Sequence, residues 1–475
     1  MLFWQWRREE NGYKYNLLID SVTDEKYACI VSYTGTSADL TIPDSLGGYP
    51  VRMIGYEAFA NNKVITGVVI PDSVTEIDTY AFSNCINLSS VKLSQNLKKI
   101  GGNVFLDCQA LKAIEIPKSL TKTDTHYGGA FNGSGLETVT FEEGVTKIPA
   151  NLFNQCTSLK EITIPDTVTE IGNAAFMDCT NLASVKLPSN LQSLGGSAFE
   201  NCVSLQEIEI PKSLSKVNWS RDNGPFYGSG LKNVIFADGT TEIGEYLFDG
   251  CTELADVTIP DTVTEIGSSA FSGCTALKEI AIPKSVTSGT AAFDGSGLER
   301  ALLADDMTTV PQSLFYGCKN LQEVDIPYTV KKIEYGAFRY CESLKNIELP
   351  DAVTEIDTAA FDGCSSLQKI DLPQKMTSVG YETFKDCTSL TSIELPDTVT
   401  EISESAFSGC TALAEIIWPN GEKNLSLSRG AFQGCTALKK IEIPAFVTWN
   451  TWGDYASVFT DSGLEKVTFT GDDKE

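Results

Sequence analysis

Apolar residues along this chain recur in short blocks of the form L-x-x-I-x-I, as in Leu159, Ile162 and Ile164 or Leu205, Ile208 and Ile210. Alternation in the second half of each block is the mark of a strand with one buried face. Proline closes these strands at Pro117, Pro165, Pro211, Pro260 and Pro327. A second extended run follows, such as Val168 to Ile171, and a short turn holding Ala175 and Phe176, expected to be helical, leads back. The phenylalanines expose the period, running Phe59, Phe82, Phe105, Phe131 and onward to Phe459 with a usual step of 22 or 23 residues. A fixed period in this range predicts a solenoid whose units are single supersecondary elements.

The expected fold is therefore a repeat solenoid. It would form a right-handed superhelix with a parallel β-sheet on one face, and short extended segments and helical turns on the other. One coil orders too much backbone for the few apolar side chains it can bury alone, so stability must come from stacking on neighbours. An open first coil would expose an apolar face and unpaired strand groups. Residues 13–58 read as the cap and first coil that protect it, with a β-hairpin of strands Tyr13 to Ile19 and Lys26 to Tyr33 around a turn at Asp20 to Glu25. The remaining boundaries are an N-terminal tail over 1–12, a solenoid of about 18 coils over 59–470, and an acidic tail over 471–475.

Composition narrows the function classes. The formal net charge of −27, from 63 acidic against 36 basic residues, opposes the phosphate neutralisation that nucleic-acid binding depends on. Nucleic acid and anionic membrane surfaces are poor partners for such a chain. No apolar stretch approaches the length of a transmembrane helix, and Leu2 to Trp6 run into charged residues too soon to form the apolar region of a signal peptide.

The run "IPDTVTEIGNAAFMDCTNLASVKLP" from Ile164 to Pro188 closely resembles the BspA-like class of bacterial leucine-rich repeats. "YTGTSADLTIPDSLGGYPVRMIGYEAF" from Tyr33 to Phe59 resembles the leading segment of that family. The likeness spans roughly residues 40–469. It implies a leucine-rich-repeat fold in a secreted or surface-displayed protein of a host-associated microbe, acting in adhesion to host proteins or neighbouring cells. The expected location, extracellular or cell-surface, rests on this resemblance. The missing signal peptide and wall anchor depart from the family's layout, and a trimmed chain is the expected reason.

Thirteen of the fourteen cysteines stand three residues after a phenylalanine, from Cys85 to Cys435. In a stacked array these side chains point the same way, whereas a disulfide needs converging Cβ vectors. Buried free thiols acting as small apolar fillers are expected. With no C-x-x-C pair, no zinc or other metal site is expected. Four coils replace the cysteine by serine and shorten the link, giving "SGL" at Ser134, Ser229, Ser296 and Ser462. Three of them follow enlarged connections that hold His126 and Tyr127, then Trp219, then Trp449, Trp452 and Tyr455. Folding back to fill gaps is the favoured reading of these aromatics. Partner contact through Tyr127, Trp219, Trp449 and Trp452 is the alternative.

His126 is the single histidine, so no catalytic triad can be assembled, and no cofactor fingerprint is present. A carboxylate-based glycoside hydrolase is the least favoured function. Glu76, Glu170, Glu265, Glu355 and Glu401 recur once per coil, as a solvated face does. The expected role is a protein-binding module without catalysis, with a passive structural spacer as the alternative. The candidate surface is the outward strand column. Ile235, Ala281 and Leu302 form an apolar stretch there, followed by Asp325, Glu348, Asp371 and Glu394, with Glu323 beside them and Lys369 as the offsetting cation. A basic partner segment is the favoured ligand, and a calcium ion between adjacent carboxylates the lesser one.

Overall fold

A computed structural model of the chain describes residues 8–124, 126, 128–218, 223–420, 423–450 and 455–470. The chain is a β-solenoid of parallel stacked strands with about 19 turns. It divides into two compact units, Met1–Ala237 and Asp238–Glu475.

In the first unit, strands Tyr13–Ile19 and Lys26–Tyr33 pair antiparallel. Lys26–Tyr33 then pairs in parallel with Tyr49–Ile54, and Glu76–Ile77, Lys99–Ile100 and Lys122–Thr123 follow coil by coil. A second column, built from the L-x-x-I-x-I blocks, runs through Gly67–Val69 and Ser90–Lys92, then Ala113–Ile116 and Thr138–Phe141. The tail expected over residues 1–12 is partly a strand. Arg8–Glu10 pairs antiparallel with Tyr13–Ile19 across Asn11 (φ 48°) and Gly12 (φ 82°). Asn-Gly tolerates two successive positive φ values, which is what a tight two-residue hairpin needs.

The second unit repeats the two columns. Glu279–Ile282, Arg300–Leu303 and Glu323–Asp325 pair in parallel register on one side. Thr309–Val310, Lys332–Ile333 and Glu355–Ile356 do so on the other.

Among the described residues, most of the expected helical turns are not formed. Around Phe82, backbone hydrogen bonds link residues three apart, from Ala81 to Asp78, Ser83 to Tyr80 and Cys85 to Phe82. Tyr80 (φ 59°) and Asn84 (φ 54°) both adopt left-handed conformations. A left-handed residue on each side of the phenylalanine stops a right-handed helix from propagating. Tight turns replace it, and the helix among the described residues is the four-residue Tyr455–Val458.

Phenylalanine columns fill the core. In the first unit Phe82, Phe105, Phe131 and Phe153 are fully buried, with successive ring centroids 5.5, 5.2 and 5.7 Å apart. In the second, Phe338, Phe361, Phe384 and Phe407 stack at 5.4, 5.5 and 5.4 Å. Near-parallel offset rings contribute about 0.5–1.5 kcal/mol per pair beyond the area they bury. Most of these phenylalanines also donate a backbone N–H to the coil ahead, as from Phe361 to the Thr383 carbonyl at 2.9 Å.

All fourteen cysteines are free and buried. The ladder thiols donate to the phenylalanine carbonyl of the coil behind, as from Cys364 Sγ to Phe338 O at 3.1 Å and Cys410 Sγ to Phe384 O at 3.1 Å. The same carbonyl already accepts the N–H of the cysteine in its own coil, as Phe338 does from Cys341. A small side chain with one donor therefore fits this position.

The SGL coils have a steric cause. Gly135, Gly230, Gly297 and Gly463 each donate a backbone N–H to a cysteine carbonyl in the previous coil. A Cβ at Gly135 would lie 2.1 Å from the Gln109 carbonyl oxygen, and one at Gly297 would lie 2.0 Å from that of Thr275. No side chain can enter so close an approach.

Burial pushes the thiols up, to about 11 at Cys85 and about 12 at Cys435. At pH 8 they are protonated and sealed from solvent, and reactivity belongs to the thiolate. Iodoacetamide should modify the native chain very slowly, while thiol titration under denaturing, non-reducing conditions should find nearly all fourteen free. Six or more thiols consumed in bridges would overturn the ladder geometry.

Candidate functional site

The outward column of the second unit arises from strand alternation. In Glu323–Asp325 the middle residue Val324 is buried while Glu323 and Asp325 are exposed. The same alternation exposes Glu348 after Ile347, Asp371 after Ile370 and Glu394 after Ile393. Ala281 and Leu302 precede them on the paired strands, with Ala281 opposite Leu302 and Leu302 opposite Asp325. Ala281 is exposed and Leu302 half-buried. Ile235, 44% exposed, belongs to the first unit.

Hydrogen-bonded strand pairing beneath the carboxylates is not continuous. Hydrogen-bonded pairing joins Asn346–Ile347 to Lys369–Ile370. It is interrupted between Glu323–Asp325 and Asn346–Ile347, and again between Lys369–Ile370 and Ser392–Glu394. Only Glu348 and Asp371 therefore adjoin a common ladder. At the first interruption lies an open depression of about 620 Å³, lined by residues 322–326 and 345–348, with Glu323, Asp325 and Glu348 on its wall.

The sequence reading missed a cation. Arg300 stands in register with Glu279 on one side and Glu323 on the other. Its guanidinium donates from Nη2 to Asp325 Oδ2 at 2.8 Å, with Nε 3.7 Å from Glu323 and Nη1 3.9 Å from Glu279. The hydrogen bond to Asp325, reinforced by the Glu323 and Asp325 charges, raises the guanidinium above its ordinary value. Lys369, expected as the offsetting cation, contacts Asp371 at 3.0 Å. Five carboxylates against these two cations leave the strip a formal charge of −3. The signal was present in "LERALL", where Arg300 occupies the outward position that holds Glu279 and Glu323 in neighbouring coils.

Among the described residues, no group of three or more His, Cys, Asp or Glu side chains is placed to hold a metal ion.

Three of the five once-per-coil glutamates pair with a lysine. Glu76 meets Lys99 at 2.7 Å, Glu170 meets Lys147 at 2.6 Å and Glu355 meets Lys332 at 2.9 Å, each across adjacent coils. Glu242 faces Glu265 in register, and its carboxyl is raised, first by burial and then by the Glu265 charge. These contacts give the column an inter-coil structural role.

Of the aromatic insertions, Trp449 is half-buried at the end of strand Val447–Trp449, paired with Leu425–Leu427. Tyr127, Trp219 and Trp452 lie outside the described residues. The His126 side chain is 83% exposed, with Nδ1 2.9 Å from Asp124 Oδ1, so it does not fill a gap in the core.

Stacked parallel coils with buried phenylalanine, leucine and isoleucine columns define a leucine-rich-repeat solenoid. A family model described as BspA type Leucine rich repeat region (6 copies) matches overlapping segments that run from residue 39 to 474. The chain belongs to this BspA-type leucine-rich-repeat family. A leucine-rich repeat protein from Bacteroides ovatus is 27% identical, with a TM-score of 0.48, over 94% of this chain and 100% of that one. A leucine rich cell surface protein from Faecalibacterium prausnitzii is 25% identical, with a TM-score of 0.34, over 99% and 96%. A leucine-rich repeat protein from Bacteroides capillosus is 36% identical, with a TM-score of 0.26, over 29% and 98%. Comparison with curated proteins gives no match. Among the described residues no helix is long and apolar enough to cross a membrane.

The strip carboxylates are exposed and make few structural contacts, and exposed ion pairs contribute only about 0–1 kcal/mol each. Replacing Asp325, Glu348, Asp371 and Glu394 together by Asn or Gln should move the melting temperature by less than about 4 °C. Circular dichroism melting checks this, and a drop beyond about 10 °C would show that the strip supports the fold.

Proposed function

We propose that the chain is a surface-displayed protein-binding module, serving adhesion or host interaction, and that the acidic strip of the second unit docks a basic segment of its partner. The observation that carries this reading is the exposure of Asp325, Glu348, Asp371 and Glu394 in one outward column of four successive coils. Opposite charge steers encounter and fixes register even where single pairs contribute little. An extended segment carrying Lys or Arg at alternate positions would present its cations to this column. Membership in the BspA-type family supports the surface location, and the repeat fold is compatible with protein binding. A uniform spacer surface would not change from Ala281 and Leu302 to four acidic residues along one column.

A ten-residue peptide alternating Lys and Thr is a suitable probe, titrated calorimetrically at low and at physiological salt. Neutralising Asp325, Glu348, Asp371 and Glu394 should weaken binding about tenfold and flatten its salt dependence. A charge-matched control replaces the exposed Glu253, Asp261, Asp305 and Glu404 by the corresponding amides and should weaken it no more than about threefold. Equal effects from the two variants would remove the strip as the docking face.

A further inference from the structure

We infer that Arg300 is a built-in competitor for the basic segment, occupying one end of the acidic strip and setting where along the strip a partner can bind. This rests on the reading of the strip as a docking face. Arg300 reaches across three paired strands, from Glu279 through its own position to Glu323 and Asp325. It places a guanidinium where a partner's arginine would otherwise sit. Its side chain is 42% exposed, as are comparable fractions of its acceptors, with Glu323 at 61% and Asp325 at 52%. The contact is therefore open to solvent and to exchange.

The guanidinium is held by one good hydrogen bond, from Nη2 to Asp325. Its Nε–H is buried without a hydrogen-bond partner, and the Glu279 and Glu323 oxygens stay at 3.9 and 3.7 Å. A planar fork that matches carboxylates two at a time is thus only partly satisfied. A partner arginine arriving from solvent has no such tether and can adopt the paired geometry.

The neighbouring coil sharpens the point. The strip is interrupted immediately beyond Asp325, where the depression separates Glu323 and Asp325 from Glu348. With Arg300 in place, Asp325 on the near wall is already paired and Glu323 lies 3.7 Å from the guanidinium, while Glu348 on the far wall, which Lys345 also lines, makes no salt bridge among the described residues. A basic segment therefore registers on Glu348 and Glu394, with Asp371 shared by Lys369. Removing Arg300 would release Glu323 and Asp325 and lengthen the docking strip by one coil.

The test uses the full chain, the same Lys-Thr peptide and three variants. Arg300→Gln should bind the peptide about threefold more tightly at low salt, with a steeper salt dependence, because one exposed ion pair no longer competes. Arg300→Lys keeps the charge and should bind like the wild type. The four-site neutralised variant reports on the docking face itself. If that variant weakens binding while Arg300→Gln leaves it unchanged or weaker, the competitor role is overturned and the docking face stands. If neutralising the four carboxylates has no more effect than the charge-matched control, both are overturned. Tighter binding by Arg300→Lys equal to that of Arg300→Gln would also contradict the inference, since the charge would then be irrelevant.

Discussion

Parallel strand stacking is the constraint on which the rest of this molecule depends. Neighbouring strands lie about 4.8 Å apart, and every side chain in one coil is followed by its counterpart in the next at nearly that distance. Only residues that pack against copies of themselves can fill such columns. Phenylalanine does so with offset rings at 5.2 Å between Phe176 and Phe199 and 5.4 Å between Phe384 and Phe407. Cysteine does so because its thiol fills little space and reaches the carbonyl one coil behind. The left-handed residues before and after most of the phenylalanines follow from the same constraint, because the chain must turn sharply enough to keep the ring over its neighbour.

The irregular coils show what the constraint permits. Losing one residue from the link draws the backbone against the coil behind, and only glycine can stand there, at Gly135, Gly230, Gly297 and Gly463. On the solvent side the constraint is silent: outward residues are free to vary because nothing packs on them. The variation from Ala281 and Leu302 to Asp325, Glu348, Asp371 and Glu394 is therefore chemical information that folding does not require. Arg300 stands in the adjacent outward column, with Glu279 and Glu323, which is why it can act on the strip without supporting the core.

The buried half of the structure was legible because each column repeats its residue type. The strand blocks, the cysteine ladder and the N-terminal hairpin strands Tyr13–Ile19 and Lys26–Tyr33 all fall where periodicity and turn residues put them. Two features escaped. The turn around each phenylalanine reads as helical from Ala175 and Phe176 alone, because a left-handed residue such as Ala174 (φ 51°) has no residue signature. The strand Arg8–Glu10 was signalled by Asn11-Gly12, but three charged residues carry no alternation to notice. On the candidate surface, the acidic residues could be read, whereas the breaks in strand pairing could not.

Native-state hydrogen exchange of the wild type and of Phe361→Ala tests the dependence of each coil on its neighbours most directly. The amides of Phe338, Phe361 and Phe384 donate to carbonyls of the coil ahead, at 2.9, 2.9 and 2.8 Å. If coils are stable only by stacking, removing the Phe361 ring should lower protection at Phe338 and Phe384 as well as at residue 361, with the effect fading over more distant coils of the second unit. Loss of protection confined to the substituted coil would show that a coil holds its own structure, and would contradict the account.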